Sequence, residues 1–329
     1  MGERFVELQS WLHDDLRLSS FTIVPASSDA SFRRYFRVTG NGQSRIVMDA
    51  PPDKEDCGPF ITIAGAMAGL GLNVPRILEA DTRRGFLLLS DLGSRHYLQS
   101  LNERTVDGLY GDALRALRLL QTAALAGAGL PDYDRALLLR EMALFRDWYL
   151  ARHLRMAMSE ALSEVLEQTF AFLADEALAQ PRVWVHRDYH SRNLMVTGAN
   201  NPGILDFQDA VIGPVTYDVV SLLRDCYVNW PRQRVMQWLQ DYLAAAQAEG
   251  GVQGVTTGQF VRWFDLMGAQ RHLKAIGIFA RLNYRDGKPG YLPDIPRTLG
   301  YVVEVSALYP ELRPLHLLLT QQVLPHLPK

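Results

Sequence analysis

The chain has 329 residues, of which 48% are hydrophobic, and a formal net charge of −2, so it is long enough for one large domain or two lobes around a sizeable core. The near-neutral charge, with no basic run among aromatic residues, argues against nucleic acid or an anionic membrane as a partner. The two cysteines, Cys57 and Cys226, have no CxxC spacing, which argues against a disulfide framework and a zinc knuckle. Since the sequence shows no apolar leader and no run of ~18 apolar residues, we expect a cytoplasmic protein.

The first ninety residues predict a strand-rich part of the chain. Short apolar runs bounded by turn residues are typical of strands; they are FTIV (21–24), YFRV (35–38), RIVM (45–48) and GFLLLS (85–90). One helical pattern lies among them, near 58–70. We therefore predict a small mixed N-terminal lobe over residues 1–92.

From about residue 103 the apolar spacing becomes helical. Apolar residues recur at intervals of three and four positions in six stretches: 109–125, 136–154, 216–226, 232–248, 258–282 and 298–309. The strand-like pieces in this part are short: 183–186, 194–197 and 203–205. The pattern predicts a large helical lobe over residues 93–329 that carries a small β insert, with no internal repeat.

The β insert contains VHRDYHSRNLMV (185–196), which crowds polar residues between two short apolar runs. Asp188 and Asn193 are five apart, and Asp206 follows an apolar strand thirteen residues later. Phosphoryl transfer needs one carboxylate to accept a hydroxyl proton, and an amide oxygen with a second carboxylate to hold Mg²⁺ against the phosphates. The spacing matches H-R-D-x-x-x-x-N followed by a DFG-type Asp, so we predict Asp188 as the catalytic base and Asn193 and Asp206 as the metal ligands.

We also assign His186 to the catalytic loop. Because Asp188 already fills the role of base, His186 is expected to support the loop by hydrogen bonding and packing rather than to transfer a proton. The alternative for the whole segment is a satisfied polar turn between hairpin strands, which the joint pattern disfavours. Eleven residues separate Asp206 from Asp218, too few for the long activation segment of a protein kinase, so we expect a small-molecule substrate.

These motifs resemble the aminoglycoside phosphotransferase and choline kinase superfamily. The similar stretches are HRDYHSRNL (186–194), ILDFQDA (204–210), GPVTYDVVSLL (213–223) and LLLSDLG (87–93). The resemblance spans nearly the whole chain and implies an α+β, protein-kinase-like two-lobed fold: a small mixed N-lobe with an antiparallel sheet and a large, mostly helical C-lobe. It also implies that Asp218 braces the catalytic loop and that the backbone of Ser90, Asp91 and Leu92 meets the adenine of ATP.

Longer motifs look similar to one branch, the N-acetylmuramate/N-acetylglucosamine anomeric kinases of bacterial peptidoglycan recycling. They include SDASFRRYFRV (28–38), IVMDAPP (46–52), RWFDLMGAQRHLKAIGIFARL (262–282) and YRDGK (284–288). This resemblance implies phosphorylation of the sugar at C1, with ATP and Mg²⁺ as cofactors. Two alternatives remain: a kinase of the same fold acting on an aminoglycoside, choline or homoserine, and a non-catalytic pseudokinase or sugar sensor.

The nucleotide side departs from the usual kinase pattern, since there is no glycine-rich phosphate loop. The turn of Ser28, Asp29, Ala30 and Ser31 has small side chains that let backbone N–H groups approach phosphate oxygens, although a polar hairpin turn would look the same. Met48 stands where V-A-I-K would place its lysine. Either another cation replaces that lysine or the protein is catalytically dead; the nearest substitutes are Arg33, Arg34 and Lys54, of which an arginine suits bidentate phosphate binding better.

Charge guides the substrate prediction. Residues 219–329 contain twelve Lys and Arg against eight Asp and Glu, which disfavours a polycationic aminoglycoside and suits a neutral or anionic substrate. Arg271 and Lys274 share a helix face, and either could pair with the lactyl carboxylate of N-acetylmuramate. Further candidate sugar contacts, each of which could instead be core packing or a solvated charge, are Trp263, Tyr284, Arg224 and Tyr227. We expect a small amino sugar as the partner, and no nucleic acid, membrane or obligatory protein partner.

Overall fold

The computed structural model describes residues 2–27, 32–124 and 129–327. The chain divides into two compact units. The first consists of Met1–Ser100 and Leu194–Asp209, and the second of Leu101–Asn193 and Ala210–Lys329. The first unit therefore takes in a short segment from far along the chain, the segment that carries Asp206. The predicted lobe boundary at residue 92 stays a prediction.

The first unit is built on a five-stranded antiparallel sheet with the strand order β1-β2-β3-β5-β4. Its strands are β1 (Thr22–Ser27), β2 (Arg34–Gly40), β3 (Gln43–Asp49), β4 (Ile77–Asp81) and β5 (Phe86–Ser90). Four of them confirm the apolar runs of the sequence. The sequence pattern does not predict β4, because this edge strand is exposed through its middle residues and so lacks the alternation that marks a half-buried strand.

Two helices accompany this sheet, α1 (Glu3–Ser10) and α2 (Gly58–Gly69). One core cluster is formed by Leu8, Trp11 and Leu12 at the N-terminus with Val38, Val47, Phe86 and Leu88 from the sheet. Full burial of each large apolar side chain stabilises the fold by about 1.5–3 kcal/mol. In α2 the buried residues recur at intervals of three and four positions, so its apolar face follows from the sequence. These residues are Phe60, Ile63, Ala64 and Met67. A short helix, α3 (Tyr97–Ser100), ends the N-terminal segment of this unit.

The three predicted strands of the β insert lie in two separate antiparallel pairs, together with a fourth strand, β9 (Val211–Pro214), that the sequence does not predict. In the second unit β6 (Arg182–Val185) pairs with β9, and in the first unit β7 (Leu194–Met195) pairs with β8 (Gly203–Ile204). The polar segment 186–193 runs from the end of β6 to the start of β7. It is therefore a loop between two short strands, as the sequence predicts.

The second unit is mostly helical. Its helices are α4 (Val106–Gln121), α5 (Arg135–Leu144), α6 (Glu160–Leu178), α7 (Tyr217–Leu223), α8 (Arg232–Ala248), α9 (Thr257–Asp286), α10 (Ile295–Leu308) and α11 (Arg313–Leu318). The sequence analysis does not predict α6, although its buried residues also recur at helical spacing: Leu162, Leu166, Phe170, Leu173 and Ala177. Among the described residues, no helix combines the length and the apolar character needed to cross a membrane.

The 30-residue helix α9 packs against five other helices of the second unit: α5, α6, α7, α8 and α10. It is buried on most of its circumference, and the side chain of Thr256 caps it by accepting from the backbone N–H of Gln259 at 3.2 Å. At Gly277 it approaches the end of α5 so closely that a Cβ would lie 2.3 Å from the carbonyl carbon of Leu144. Glycine is therefore required there for the two helices to cross, and this crossing brings α5 residues beside the charged residues of α9.

Candidate active site

Asp218, in the first turn of α7, holds the polar loop from behind. It is fully buried, and its two carboxylate oxygens accept from the backbone N–H groups of His186, at 2.6 Å, and Arg187, at 3.0 Å. Arg187 has a φ of 78°, which costs free energy for a non-glycine residue and needs such support. Burial raises the pKa of Asp218 to about 7, against the opposing effect of the two N–H donors. These bonds have the geometry expected of a loop brace.

The loop is also tied together by its own side chains. His186 is 1% exposed, and its Nδ1 accepts from the backbone N–H of Asp188 at 3.2 Å. The amide nitrogen of Asn193 donates to the carbonyl oxygen of Asp188 at 3.0 Å. Both contacts limit the positions available to Asp188, and the first agrees with a supporting rather than proton-transferring role for His186.

Asp188 lies at a cavity of about 100 Å³ in the second unit. The residues lining it include Asp188, His190 and Tyr227, together with Arg271, Lys274 and Phe279 of α9. Burial raises the pKa of Asp188, but the charges of Lys274, His190 and Arg271 outweigh burial and hold that pKa below its usual value.

Lys274 forms an ion pair with a buried carboxylate on α5. Its Nζ lies 3.0 Å from Oε1 of Glu141 and donates to the hydroxyl of Tyr217 at 2.9 Å. Glu141 also accepts from Arg187 at 2.5 Å and from the hydroxyl of Tyr133. Burial raises the pKa of Glu141, and the charges of Lys274 and Arg187 lower it to a net value below the usual range. Glu141 therefore joins the loop 186–193, through Arg187, to α9.

Arg271 has a different environment. It is 5% exposed, and its Nη1 lies 3.8 Å from Sγ of Cys226, a weak acceptor. Its guanidinium carbon is 6.0 Å from the centre of the Tyr217 ring. Over the described ranges of the chain, Nε of Arg271 has no hydrogen-bond partner and the side chain forms no ion pair with an acidic residue.

Three predicted sugar contacts do not line this cavity. Arg224 forms an ion pair with Glu304 at 2.7 Å. Trp263 is packed in the core eight residues before Arg271, which is about 12 Å along a helix. Tyr284 is 41% exposed, and its hydroxyl is 3.1 Å from Nδ1 of His153. Tyr227 does line the cavity, where the guanidinium of Arg192 lies 3.9 Å from the centre of its ring.

On the nucleotide side, the predicted phosphate turn Ser28–Ser31 lies outside the described residues. The two arginines offered as substitutes for the missing lysine are both paired with carboxylates: Arg33 with Glu55 at 2.8 Å, and Arg34 with Asp49, whose Oδ2 accepts from its Nε at 3.0 Å. Lys54 is more exposed and lies 3.7 Å from Asp53.

The predicted adenine segment is held by the first unit's sheet. The Oγ of Ser90 accepts from the backbone N–H of Arg76 at 2.8 Å. The carboxylate of Asp91 accepts from Arg37 at 2.7 Å and from the backbone N–H of Gly93 at 2.9 Å. Leu92, the third predicted residue, follows directly in the same connection. These contacts fix the course of the backbone after β5.

The predicted metal ligands belong to different units, Asn193 to the second and Asp206 to the first. Asp206 has a φ of 63°, and its Oδ1 accepts from the amide of Gln208 at 2.7 Å. Positive φ at a residue other than glycine is uncommon and concentrates at functional sites. Seven of the described residues other than glycine have a positive φ, and two of them are Asp206 and Arg187, the residue before Asp188. Both predicted segments therefore contain strained backbone at or beside a candidate catalytic carboxylate.

The profile of the phosphotransferase enzyme family matches residues 22–256. The chain belongs to this family. It is similar to the N-acetylmuramate/N-acetylglucosamine kinases of Pseudomonas aeruginosa, 49% identical, and Pseudomonas putida, 48% identical, over 94% of this chain and 94% of each relative. Among solved structures, the aminoglycoside phosphotransferase APH(4)-Ia is similar with a TM-score of 0.60 and 14% identity, over 94% of this chain and 99% of that one.

These findings confirm the predicted family and the α+β, protein-kinase-like fold. Three residues of this region are not predicted from the sequence: Tyr217 and Phe279, which line the cavity, and Glu141, which pairs with Lys274 and Arg187. The signal for Glu141 was present, since it is an acidic residue inside the apolar helical run LLLREMALF (137–145). No local pattern marks Tyr217 or Phe279, because each looks like an ordinary core aromatic residue.

Proposed function

We propose that this chain is an ATP-dependent kinase that phosphorylates the anomeric hydroxyl of N-acetylmuramate and N-acetylglucosamine to give the sugar 1-phosphate, in the recycling of cell-wall sugars. The observation that carries the proposal is the placement of Asp188, on a loop braced by Asp218, at a cavity lined by Arg271 and Lys274. Its choice of sugars rests on relatives that are nearly half identical along almost the whole chain.

In the proposed reaction Asp188 accepts the proton of the C1 hydroxyl and orients that oxygen for in-line attack. A bond forms between the sugar oxygen and the γ-phosphorus of ATP, the bond from that phosphorus to its bridging oxygen breaks, and ADP leaves. The lowered pKa of Asp188 keeps it ionised at neutral pH, so it is ready to accept the proton. Because little covalent chemistry falls to the protein, positioning and charge neutralisation supply most of the rate.

From the sequence motif, Asn193 and Asp206 are each proposed as an oxygen donor to Mg²⁺. They contribute an amide oxygen and a carboxylate, which are the hard donors that Mg²⁺ prefers, and Mg²⁺ commonly binds through one or two carboxylates while waters and substrate phosphates complete its shell. Hydrogen bonds from the Asn193 amide to the loop and from Gln208 to Asp206 orient both groups. When bound, the ion neutralises charge on the β- and γ-phosphates.

ATP is proposed to bind through the N-terminal part of the chain, residues 1–92, and the sugar through residues 93–329. The backbone of Ser28–Ser31 would meet the phosphates, and the backbone of Ser90–Leu92 would meet adenine. Since Arg33 and Arg34 each hold a carboxylate already, either one would have to exchange that partner for a phosphate to replace the missing lysine. The proposal includes no nucleic-acid, membrane or protein partner and places the enzyme in the cytoplasm, where ATP is made available to it.

The test is an ADP-release assay with Mg-ATP on N-acetylmuramate, N-acetylglucosamine, kanamycin, choline and homoserine, with the Asp188→Asn variant as the blank. Turnover on the two amino sugars, with the phosphate located on C1 by ³¹P NMR, is the expected result. Turnover confined to another compound would refute the substrate and keep the kinase. ATP binding without turnover on any compound would favour the pseudokinase alternative, which the missing lysine motivates.

A further inference from the structure

Two cations line the Asp188 cavity, and only one of them has a counter-ion within the described part of the chain. Lys274 is held by Glu141 at 3.0 Å and by the hydroxyl of Tyr217 at 2.9 Å. Arg271, one turn away on α9, is 5% exposed and meets the thiol of Cys226. Of these two cations, Lys274 has a carboxylate within ion-pair distance and Arg271 has none in the described part of the chain.

Two carboxylates, those of Asp188 and Asp225, interact electrostatically with Arg271 without forming an ion pair with it, and each has another role. Asp225 accepts from the backbone N–H groups of Ser191 at 2.9 Å and of Tyr227 at 2.9 Å, so it fixes the loop and the chain after α7. Asp188 is the proposed base. Burying a guanidinium without a paired anion costs free energy, and a ligand that brings an anion to this position recovers part of that cost.

We propose that Arg271 is the specificity-determining residue for the anionic sugar: its guanidinium pairs with the lactyl carboxylate of N-acetylmuramate while the C1 hydroxyl faces Asp188. Lys274 is a positioning residue, tied to Glu141 and through it to Arg187 of the catalytic loop. This assignment rests on the proposed function and separates two residues that are equivalent in the sequence. N-acetylglucosamine has a hydroxyl in place of the lactyl ether, so it binds without that ion pair.

The geometry of an arginine suits this role. A guanidinium presents a planar fork of N–H donors that matches both oxygens of a carboxylate, whereas an ammonium acts as a point charge. The thiol of Cys226 and the rings of Tyr227 and Phe279 shape the rest of the lining, and an apolar surrounding strengthens a charge pair by excluding water. A polycation is disfavoured at the same place by repulsion from Arg271.

The experiment compares kcat/KM of the wild type and two matched variants, Arg271→Met and Lys274→Met, on three compounds. These are N-acetylmuramate, N-acetylglucosamine and the methyl ester of N-acetylmuramate, which keeps the lactyl group and loses its charge. In the wild type the ester should be used less efficiently than the acid by about 30-fold or more, the lower limit for losing one partner of a buried hydrogen-bonded charge pair. Arg271→Met should remove most of that difference.

Lys274→Met should leave the ratio between the acid and N-acetylglucosamine unchanged, since both sugars depend alike on the position of Asp188. Equal use of acid and ester by the wild type would overturn the proposal without any variant. So would a loss in Arg271→Met that is equal for all three compounds, which would assign Arg271 to Asp188 instead. If the wild type turns over neither sugar, the proposed function itself has failed, and that outcome is visible before any variant is made.

Discussion

Replacing Glu141 by Gln tests the network behind Asp188. The side chain of Glu141 is 8% exposed, and its partners Lys274 and Arg187 are 9% and 20% exposed, so solvent screens these ion pairs only weakly. Breaking a buried pair costs about 3–5 kcal/mol. Because Gln keeps the shape of the side chain and one acceptor oxygen, we expect a loss of stability at the lower end of this range, about 3 kcal/mol.

For a chain of 329 residues a loss of about 3 kcal/mol corresponds to a fall in melting temperature of about 4 °C. The assay is thermal unfolding followed by circular dichroism at pH 7, together with kcat. We expect kcat to fall as well, because Lys274 and Arg187 would act on Asp188 without a compensating carboxylate and make it a weaker base. A melting temperature within 1 °C of the wild type would refute the claim that the network is a buried, mutually dependent set.

The double variant Glu141→Gln/Lys274→Met sharpens this test. Residues in one network give non-additive losses, and removing both charges avoids leaving Lys274 buried without its partner. We expect the double variant to be destabilised by less than the sum of the single losses. Strict additivity would mean that the 3.0 Å contact between Glu141 and Lys274 contributes nothing of its own.

The pH dependence of stability provides a second check on Glu141. Its folded-state pKa is lowered from the ordinary value of 4.5, so the folded protein binds fewer protons at this site than the unfolded chain does. Its contribution is therefore fully present above pH 4.5 and is lost as the pH falls through the folded-state pKa. The Gln variant should lack this component, and an identical acid dependence in both proteins would contradict the assignment.

Three further changes have distinct outcomes. Asp188→Asn should lower kcat by about 10²–10⁴-fold with ATP binding retained, measured by ADP release and nucleotide titration; substantial turnover would remove Asp188 from the role of base. Asp218→Asn places an amide NH₂ against a backbone N–H donor, so we expect about 1–3 kcal/mol of lost stability and reduced kcat, and a fully active, equally stable variant would exclude the brace. Gly277→Ala should destabilise by about 1–3 kcal/mol because its Cβ would lie 2.3 Å from the Leu144 backbone, whereas the matched change Gly258→Ala on the same helix meets nothing within 4 Å and should be neutral or slightly stabilising in chemical denaturation.

Local sequence was sufficient for much of the fold and for the loop. The strands β1, β2, β3 and β5 follow from short apolar runs because side-chain alternation and turn residues act over a few positions. The loop from His186 to Asn193 contains hydrogen bonds between residues two and five positions apart. The spacing of these residues in the sequence is therefore enough to predict that they lie close together. The brace at Asp218 came from the family resemblance rather than from local pattern, and its two bonds to the loop agree with it.

Tertiary structure alone decided which charges near Asp188 have partners. In the sequence Arg271 and Lys274 are two cations three residues apart on one helix, and nothing local tells them apart. The partner of Lys274, Glu141, lies on a different helix far along the chain, and it reaches α9 because Gly277 lets α5 and α9 cross closely. The same packing keeps Trp263 and Tyr284 away from the cavity and brings Phe279 to it, because the direction of a side chain on a largely buried helix is set by its neighbours and not by its own apolar pattern.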